Sequence, residues 1–320
     1  MKISIIIPVY NVAQYVEECL RSVMSQTYKG DMECLIVDDC GTDDSIDIAE
    51  RVIRDYQGPI QFRILHHSQN CGLSAARNTG IHEATGDYLY FMDSDDSIIP
   101  ECLELMADML KKYPQADIVQ AGALSEYDFL DIEKKDLPEY SDDRAWIKTT
   151  ILQRFVIPLT SWNKLISKSF IDIYRLSFRE NLIHEDELFN FFLAKHVRSI
   201  AFLKKNTYRY RVLRPNGIMQ SAKEEISDTN MLKIAEICID NMDDFCYEEQ
   251  YQFIMGILYE RYFTMFKPKM KKRIRVLFRK LQKKVSRNRS FVLLTLQLPY
   301  TRLLNIIEHR LWIYKKLLGV

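Results

Sequence analysis

Over the first 120 residues, short apolar runs alternate with stretches in which apolar residues recur three and four apart. Runs at 3–9, 33–37, 61–66, 87–92 and 117–119 predict strands, and the stretches 11–26, 43–56, 73–84 and 101–113 predict helices. Asn11, and Thr42 or Asp43, stand where helix caps belong. Such βαβα alternation calls for a largely parallel sheet covered by helices, an α/β class whose ligands bind beyond the carboxyl ends of the strands. From 122 to 219 the pattern is less regular. It holds an acidic stretch (126–143), a helix over 142–154, a segment 161–171, a helix from near His184, and short strands at 200–202 and around 208–211. Beyond Ser227 the periodicity is helical almost to the end.

Length and composition narrow the class. The 320 residues are 47% hydrophobic and 28% charged, enough for one large domain or two ordinary ones with a real core. Seven scattered cysteines without a C-x-x-C pair argue for a reducing compartment and against a structural zinc site. The apolar run 3–9 is interrupted by Ser4 and Pro8, and 291–298 is also short, so neither is expected to span a membrane or act as a signal peptide. A cytoplasmic protein is expected. Its zero net charge conceals a split: residues 267–320 carry sixteen Lys/Arg and one acid, Glu308, leaving 28 bases against 43 acids before them. That separation predicts an acidic body with a basic surface-binding appendix.

Three clusters carry chemistry. Asp93-Ser94-Asp95-Asp96 follows a buried strand, and carboxylates crowded there invite a hard divalent cation bridging to phosphate; a solvated, helix-capping acidic loop is the plainer alternative. Asp38-Asp39 follows a second strand, and a parallel sheet brings it to the same edge, where an Asp can bind a base or ribose. The small residues Gly72, Ser74, Ala75, Ala76 and Gly80 let a helix approach the sheet, which brings Arg77 beside the acidic edge, suited to a phosphate or a carboxylate. Neither G-x-G-x-x-G nor a Walker A loop is present, which speaks against dinucleotide-binding and P-loop readings and against a nucleotidyltransferase.

Ser4-Ile5-Ile6-Ile7-Pro8-Val9-Tyr10-Asn11, Val37-Asp38-Asp39, the segment 72–80 and Asp93-Ser94-Asp95, in that order, resemble the inverting family 2 glycosyltransferases of GT-A fold, over about the first 120 residues. Family members often read Gly-Ser where this chain has Cys40-Gly41. The resemblance implies that Pro8, Tyr10, Asp39, Arg77 and Asp93 surround a nucleotide-sugar, with UDP the commonest nucleotide. It makes Asp93 and Asp95 the D-x-D pair for Mn2+ or Mg2+, Asp95 in direct contact. It divides the chain into a GT-A domain (1–222, with a nucleotide-sugar half 1–121 and an acceptor half 122–222) and a helical region, 223–320. Ser161-Trp162-Asn163-Lys164-Leu165 and Tyr208-Arg209-Tyr210-Arg211 look like further family segments; there Trp162 could stack on a sugar but is more often core, and Arg211 or Arg214 could bind diphosphate, though a plain surface role is the default.

A base is offered by His184-Glu185-Asp186-Glu187. On a helical wheel Glu185 points into the apolar face of Leu188, Phe189 and Phe192, Asp186 lies at its edge, and Glu187 points away. First-turn acids often serve only the helix dipole. The pattern also resembles the family's Glu-Asp element, which makes Asp186 the expected base and Glu185 the reserve. The tail segment 267–289 reads as a basic amphipathic helix that would lie on an anionic membrane surface, and no nucleic-acid motif accompanies it. Together these features predict an inverting, metal-dependent transferase peripheral to the inner face of the cell membrane. It would extend a saccharide acceptor, lipid-linked, for capsule, exopolysaccharide or O-antigen, as a possible homodimer. The alternative is a non-catalytic nucleotide-sugar or membrane-surface binding protein that retains the fold.

Overall fold

The computed structural model describes residues 1–153, 156–212, 224–244, 247–264 and 268–285. The first half alternates as its pattern predicts: β1 (Ile3–Val9), α1 (Val16–Met24), β2 (Met32–Asp38), α2 (Ser45–Arg54), β3 (Gln61–His66), α3 (Leu73–Glu83), β4 (Tyr88–Phe91), β5 (Ser97–Ile98), α4 (Cys102–Lys112) and β6 (Ile118–Leu124). There follow β7 (Tyr140–Ser141), α5 (Arg144–Leu152), β8 (Lys164–Ser167), α6 (Lys168–Tyr174), α7 (Glu185–His196) and β9 (Ile200–Arg209). Three long helices close the described chain: α8 (Glu224–Asp240), α9 (Tyr247–Thr264) and α10 (Pro268–Val285).

All nine strands join one sheet in the order β3-β2-β1-β4-β8-β6-β9-β5, with β7 also on β9. β1 is buried from end to end and lies parallel between β2 and β4, which explains its unbroken apolar run. β8 is inserted antiparallel between β4 and β6. The four residues Lys-Leu-Ile-Ser are too short to show a period, so the sequence pattern leaves this strand unassigned. The two short strands expected at 200–202 and 208–211 are one, β9, whose register against β6 shifts around Gly122.

Alternate residues of the strands feed two cores. Ile5, Ile7, Cys34 and Ile36 face α1, α2 and α4, while Ile6, Leu35, Phe91 and Phe202 face the opposite layer of α3, α5 and α7. The second layer continues without a break into α8, α9 and α10. The helix expected from residue 11 begins at Val16, because Asn11 adopts φ 51° and its carboxamide accepts the Thr42 N–H at 2.8 Å, bracing the turn after β2 instead.

The basic amphipathic helix is present as α10, but its apolar stripe is spent. Ile274, Leu277 and Leu281 are buried in the core shared with α8 and α9. Lys280 bridges Asp240 at 2.8 Å, and Lys284 donates to the Ile239 carbonyl at 2.7 Å. Lys272, Arg275, Arg279 and Lys283 face outward. The apolar stripe of α10 is therefore packed on α8 and α9, and its basic residues form the outward face. Periodicity cannot tell a core from a bilayer as the partner of a stripe. Among the described residues no helix is long and apolar enough to cross a membrane. The helical periodicity beyond residue 285, and Arg214, lie outside the described residues.

α3 crosses the sheet at close range through its small residues. A Cβ on Gly80 would lie 2.3 Å from Ile6 Cγ2. Gly80→Ala should therefore cost about 1–3 kcal/mol by overpacking, seen as a lower urea midpoint; an unchanged midpoint would show that α3 can lift from β1 freely.

Candidate functional site

Three elements converge where the central strands end. The turn after β4 carries Asp93, Asp95 and Asp96; α3 supplies Arg77; the first turn of α7 supplies Glu185 and Asp186. The Arg77 guanidinium joins them. One terminal nitrogen lies 2.5 Å from Glu185 and 3.2 Å from Asp186, and the other lies 2.9 Å from Asp93. Side-chain exposure rises outward from Arg77 (2%) and Glu185 (9%) to Asp186 (22%) and Asp93 (27%). Phe178 lies beneath, its ring centroid 5.1 Å from the Arg77 guanidinium carbon.

This arrangement redistributes the expected roles. Arg77, expected against a pyrophosphate, is instead the buried centre around which the carboxylates gather. Of the two candidate bases, Asp186 is the more open, and Glu187, expected to point away, is half-buried. Trp162 is core: it stacks on Tyr208 with centroids 4.3 Å apart and planes 10° from parallel. Tyr10 is 42% exposed just past the end of β1, and Pro8 is buried within that strand.

Asp39 is buried and fully engaged. It accepts the N–H groups of Cys71 and Gly72, both at 2.8 Å, and pairs with His67 Nδ1 at 2.7 Å. It thereby holds the turn into α3, where Gly72 takes φ 89°. Cys40, at a position where family members often carry Gly, adopts φ 57°. Ligand atoms of Asp39, His67 and Cys71 lie within 4.8 Å of one another. The other His67 nitrogen bonds Thr79 at 2.9 Å, so the group is satisfied by protein partners. The D-x-D pair is different. Asp93 and Asp95 share the turn after β4, and their carboxylate oxygens are hard donors of the kind that fits Mg2+ or Mn2+.

Sequence reasoning missed Asn190 and met Lys164, Asp96 and Tyr208 only inside longer segments, without their partners. Lys164 is buried and donates to the Pro158 carbonyl at 3.1 Å and to that of Thr160. Asn190 donates to the Leu159 carbonyl at 2.6 Å and the Asp186 carbonyl at 2.8 Å, tying the 158–160 segment to the first turn of α7. Asp96 and Tyr208 form a buried pair at 2.8 Å behind the D-x-D turn. Lys164 and Asn190 stand in the sequence as polar residues beside apolar ones, whereas Asp96 belongs to the acidic run after β4 and Tyr208 to a Tyr-Arg alternation.

The family model described as "Glycosyl transferase family 2" matches residues 4–169. A putative glycosyltransferase of Bacillus subtilis (strain 168), EpsH, is 32% identical over 236 residues, covering 72% of this chain and 66% of its own. This chain thus spans just under two thirds of that relative. The crystal structure of S. aureus TarS 1-349 in complex with UDP-GlcNAc matches with a TM-score of 0.67 at 22% identity, covering 89% of this chain and 81% of that one. A mannosyltransferase from Pyrobaculum calidifontis, PcManGT, in complex with GDP-Man and Mn2+, matches with a TM-score of 0.57 at 14% identity, covering 86% and 73%. The fold is thus the α/β GT-A arrangement that the sequence pattern predicts.

Electrostatics sharpen the picture. Burial works against the Arg77 charge, but Asp186, Asp93 and Glu185 outweigh it and hold the group above its ordinary range. Burial, then Asp95 and Asp93, push Asp96 up to about 9. Burial and the neighbouring Asp186 push Glu185 up to about 7, only partly opposed by Arg77. The folded protein therefore retains a proton that the unfolded chain releases near 4.5, and stability from this group falls as pH rises from about 4.5 to about 7. In Glu185→Gln that fall should flatten, read as melting temperature against pH for parent and variant. Parallel curves would show that Glu185 is ionised throughout.

Proposed function

The chain belongs to glycosyl transferase family 2, and from that premise we propose that it moves a sugar from a nucleotide-sugar, a UDP-sugar, to a saccharide acceptor with inversion at the anomeric carbon. The observation that carries the reading is the Arg77-centred cluster, which gathers the base candidate and the D-x-D turn at one sheet edge. Asp186 is the base. As a carboxylate paired with Arg77, it takes the proton of an acceptor hydroxyl. That oxygen bonds to the anomeric carbon while the bond to the diphosphate breaks on the opposite face, its electrons leaving with the phosphate. One carboxylate suffices, since a diphosphate needs no protonation to leave, whereas a glycosidase needs a second carboxyl group. Asp95 and Asp93 would hold Mn2+ or Mg2+, which neutralises charge on the departing diphosphate. Tyr10, exposed past β1, and the Asp39-braced turn border the nucleotide.

The outward Lys272, Arg275, Arg279 and Lys283 of α10 suit an anionic surface. They support a lipid-linked acceptor met at the inner membrane face, with charge alone making the contact. A polymeric acceptor agrees with the name of one relative, a poly(ribitol-phosphate) beta-N-acetylglucosaminyltransferase of Staphylococcus aureus.

Calorimetric titration of UDP should show binding that requires Mn2+ and is lost in Asp95→Ala. Asp186→Asn should keep that binding while sugar transfer from the UDP-sugar used by the parent falls roughly 10²–10⁴-fold. Equal turnover in Asp186→Asn would refute the assigned base. UDP bound with no turnover of any UDP-sugar would favour the non-catalytic alternative.

A further inference from the structure

The turn that carries Asp93 and Asp95 is held from outside its own strand. The Asp93 N–H donates to the Tyr208 hydroxyl oxygen at 3.1 Å, and that hydroxyl donates to Asp96 Oδ2 at 2.8 Å. The Arg211 N–H donates to Asp96 Oδ1 at 2.7 Å, and its Nε donates to the Asp95 carbonyl at 2.9 Å. Both ends and the middle of the turn therefore hang on the end of β9, more than 110 residues away in the chain. Asp96, with both oxygens so occupied, is a strut of the turn.

The support is itself rigid. Tyr208 is wholly buried and stacked on Trp162, and the adjoining Thr207 hydroxyl donates to the buried Asn163 carboxamide at 3.0 Å. Arg211 is anchored at its far end by Glu18 at 2.7 Å and lies over the Tyr15 ring at 5.0 Å.

We propose that Tyr208 and Arg211 are positioning residues: through Asp93, Asp95 and Asp96 they set the spacing of the carboxylates that take the divalent cation and the nucleotide diphosphate. The proposal rests on the D-x-D assignment above. Two carboxylates bind a small hard cation well only at the right separation, because such an ion tolerates little distortion of its shell.

The test is UDP binding by the full chain across a Mn2+ series. Tyr208→Phe removes one oxygen and two hydrogen bonds while keeping the ring. It should raise the Mn2+ concentration for half-maximal UDP binding on the order of tenfold, with binding restored at saturating Mn2+ and the melting temperature little changed. Tyr140→Phe is the control: its buried hydroxyl has no hydrogen-bond partner in the structure, and its Mn2+ dependence should match the parent. Should Tyr208→Phe not fold, Arg211→Met carries the same expectation. A Mn2+ dependence that either folded variant leaves unaltered overturns the positioning role alone. Absence of Mn2+-dependent UDP binding in the parent chain would overturn the D-x-D reading as well, so the two failures are distinct.

Discussion

A single guanidinium sets the geometry on which the rest of this site depends. Burying Arg77 would cost several kcal/mol if it stood alone, and an arginine cannot shed its proton to escape that cost. Its position therefore demands anions, and the fold supplies three from two distant elements. The same logic runs in reverse for the acids. Asp93, Glu185 and Asp186 could not crowd together without a fixed cation, so cation and carboxylates each make the other's burial tolerable. Arg77 in turn sits where it does because Gly80, one turn further along α3, lets that helix lie against Ile6.

Around this centre the structure adds braces rather than bulk. Asn163 takes φ 57°, donates to the Gly122 carbonyl and accepts from Tyr90 and Thr207, locking the inserted strand β8 to β4, β6 and β9. The antiparallel strand thereby becomes the link between the two parallel halves of the sheet. His184, at φ 65°, turns the chain into α7 and bonds Ser227 of α8 at 2.7 Å. The C-terminal helices consequently bear on the active-site helix and do not form a detached appendage.

How much of this was legible in the sequence depended on range. The unbroken apolar β1, the acids after β4 and the small residues of α3 are local signals, and they placed the sheet, the D-x-D turn and the close helix correctly. Arg77 shows the limit. A cation near an acidic edge reads equally as a partner for a phosphate or a carboxylate, because Glu185 and Asp186 lie over 100 residues away and no spacing rule joins them to it. The pairing of Tyr208 with Asp96, 112 residues apart, escaped notice for the same reason. β8 is too short to carry a period. The stripe of α10 was seen, but not its partner, since burial against α8 and exposure to lipid demand the same residues.

The separation between Arg77 and its acids has a temporal side. Arg77 is synthesised 108 residues before Glu185, and until α7 arrives only Asp93, 16 residues on, can pair with it. A chain emerging from the ribosome thus presents Asp93 to Arg77 long before the two carboxylates of α7 exist. Order of synthesis separates the two sides of the site: the strands that would border a donor are made first, and the group proposed to act on it is made more than 100 residues after Arg77.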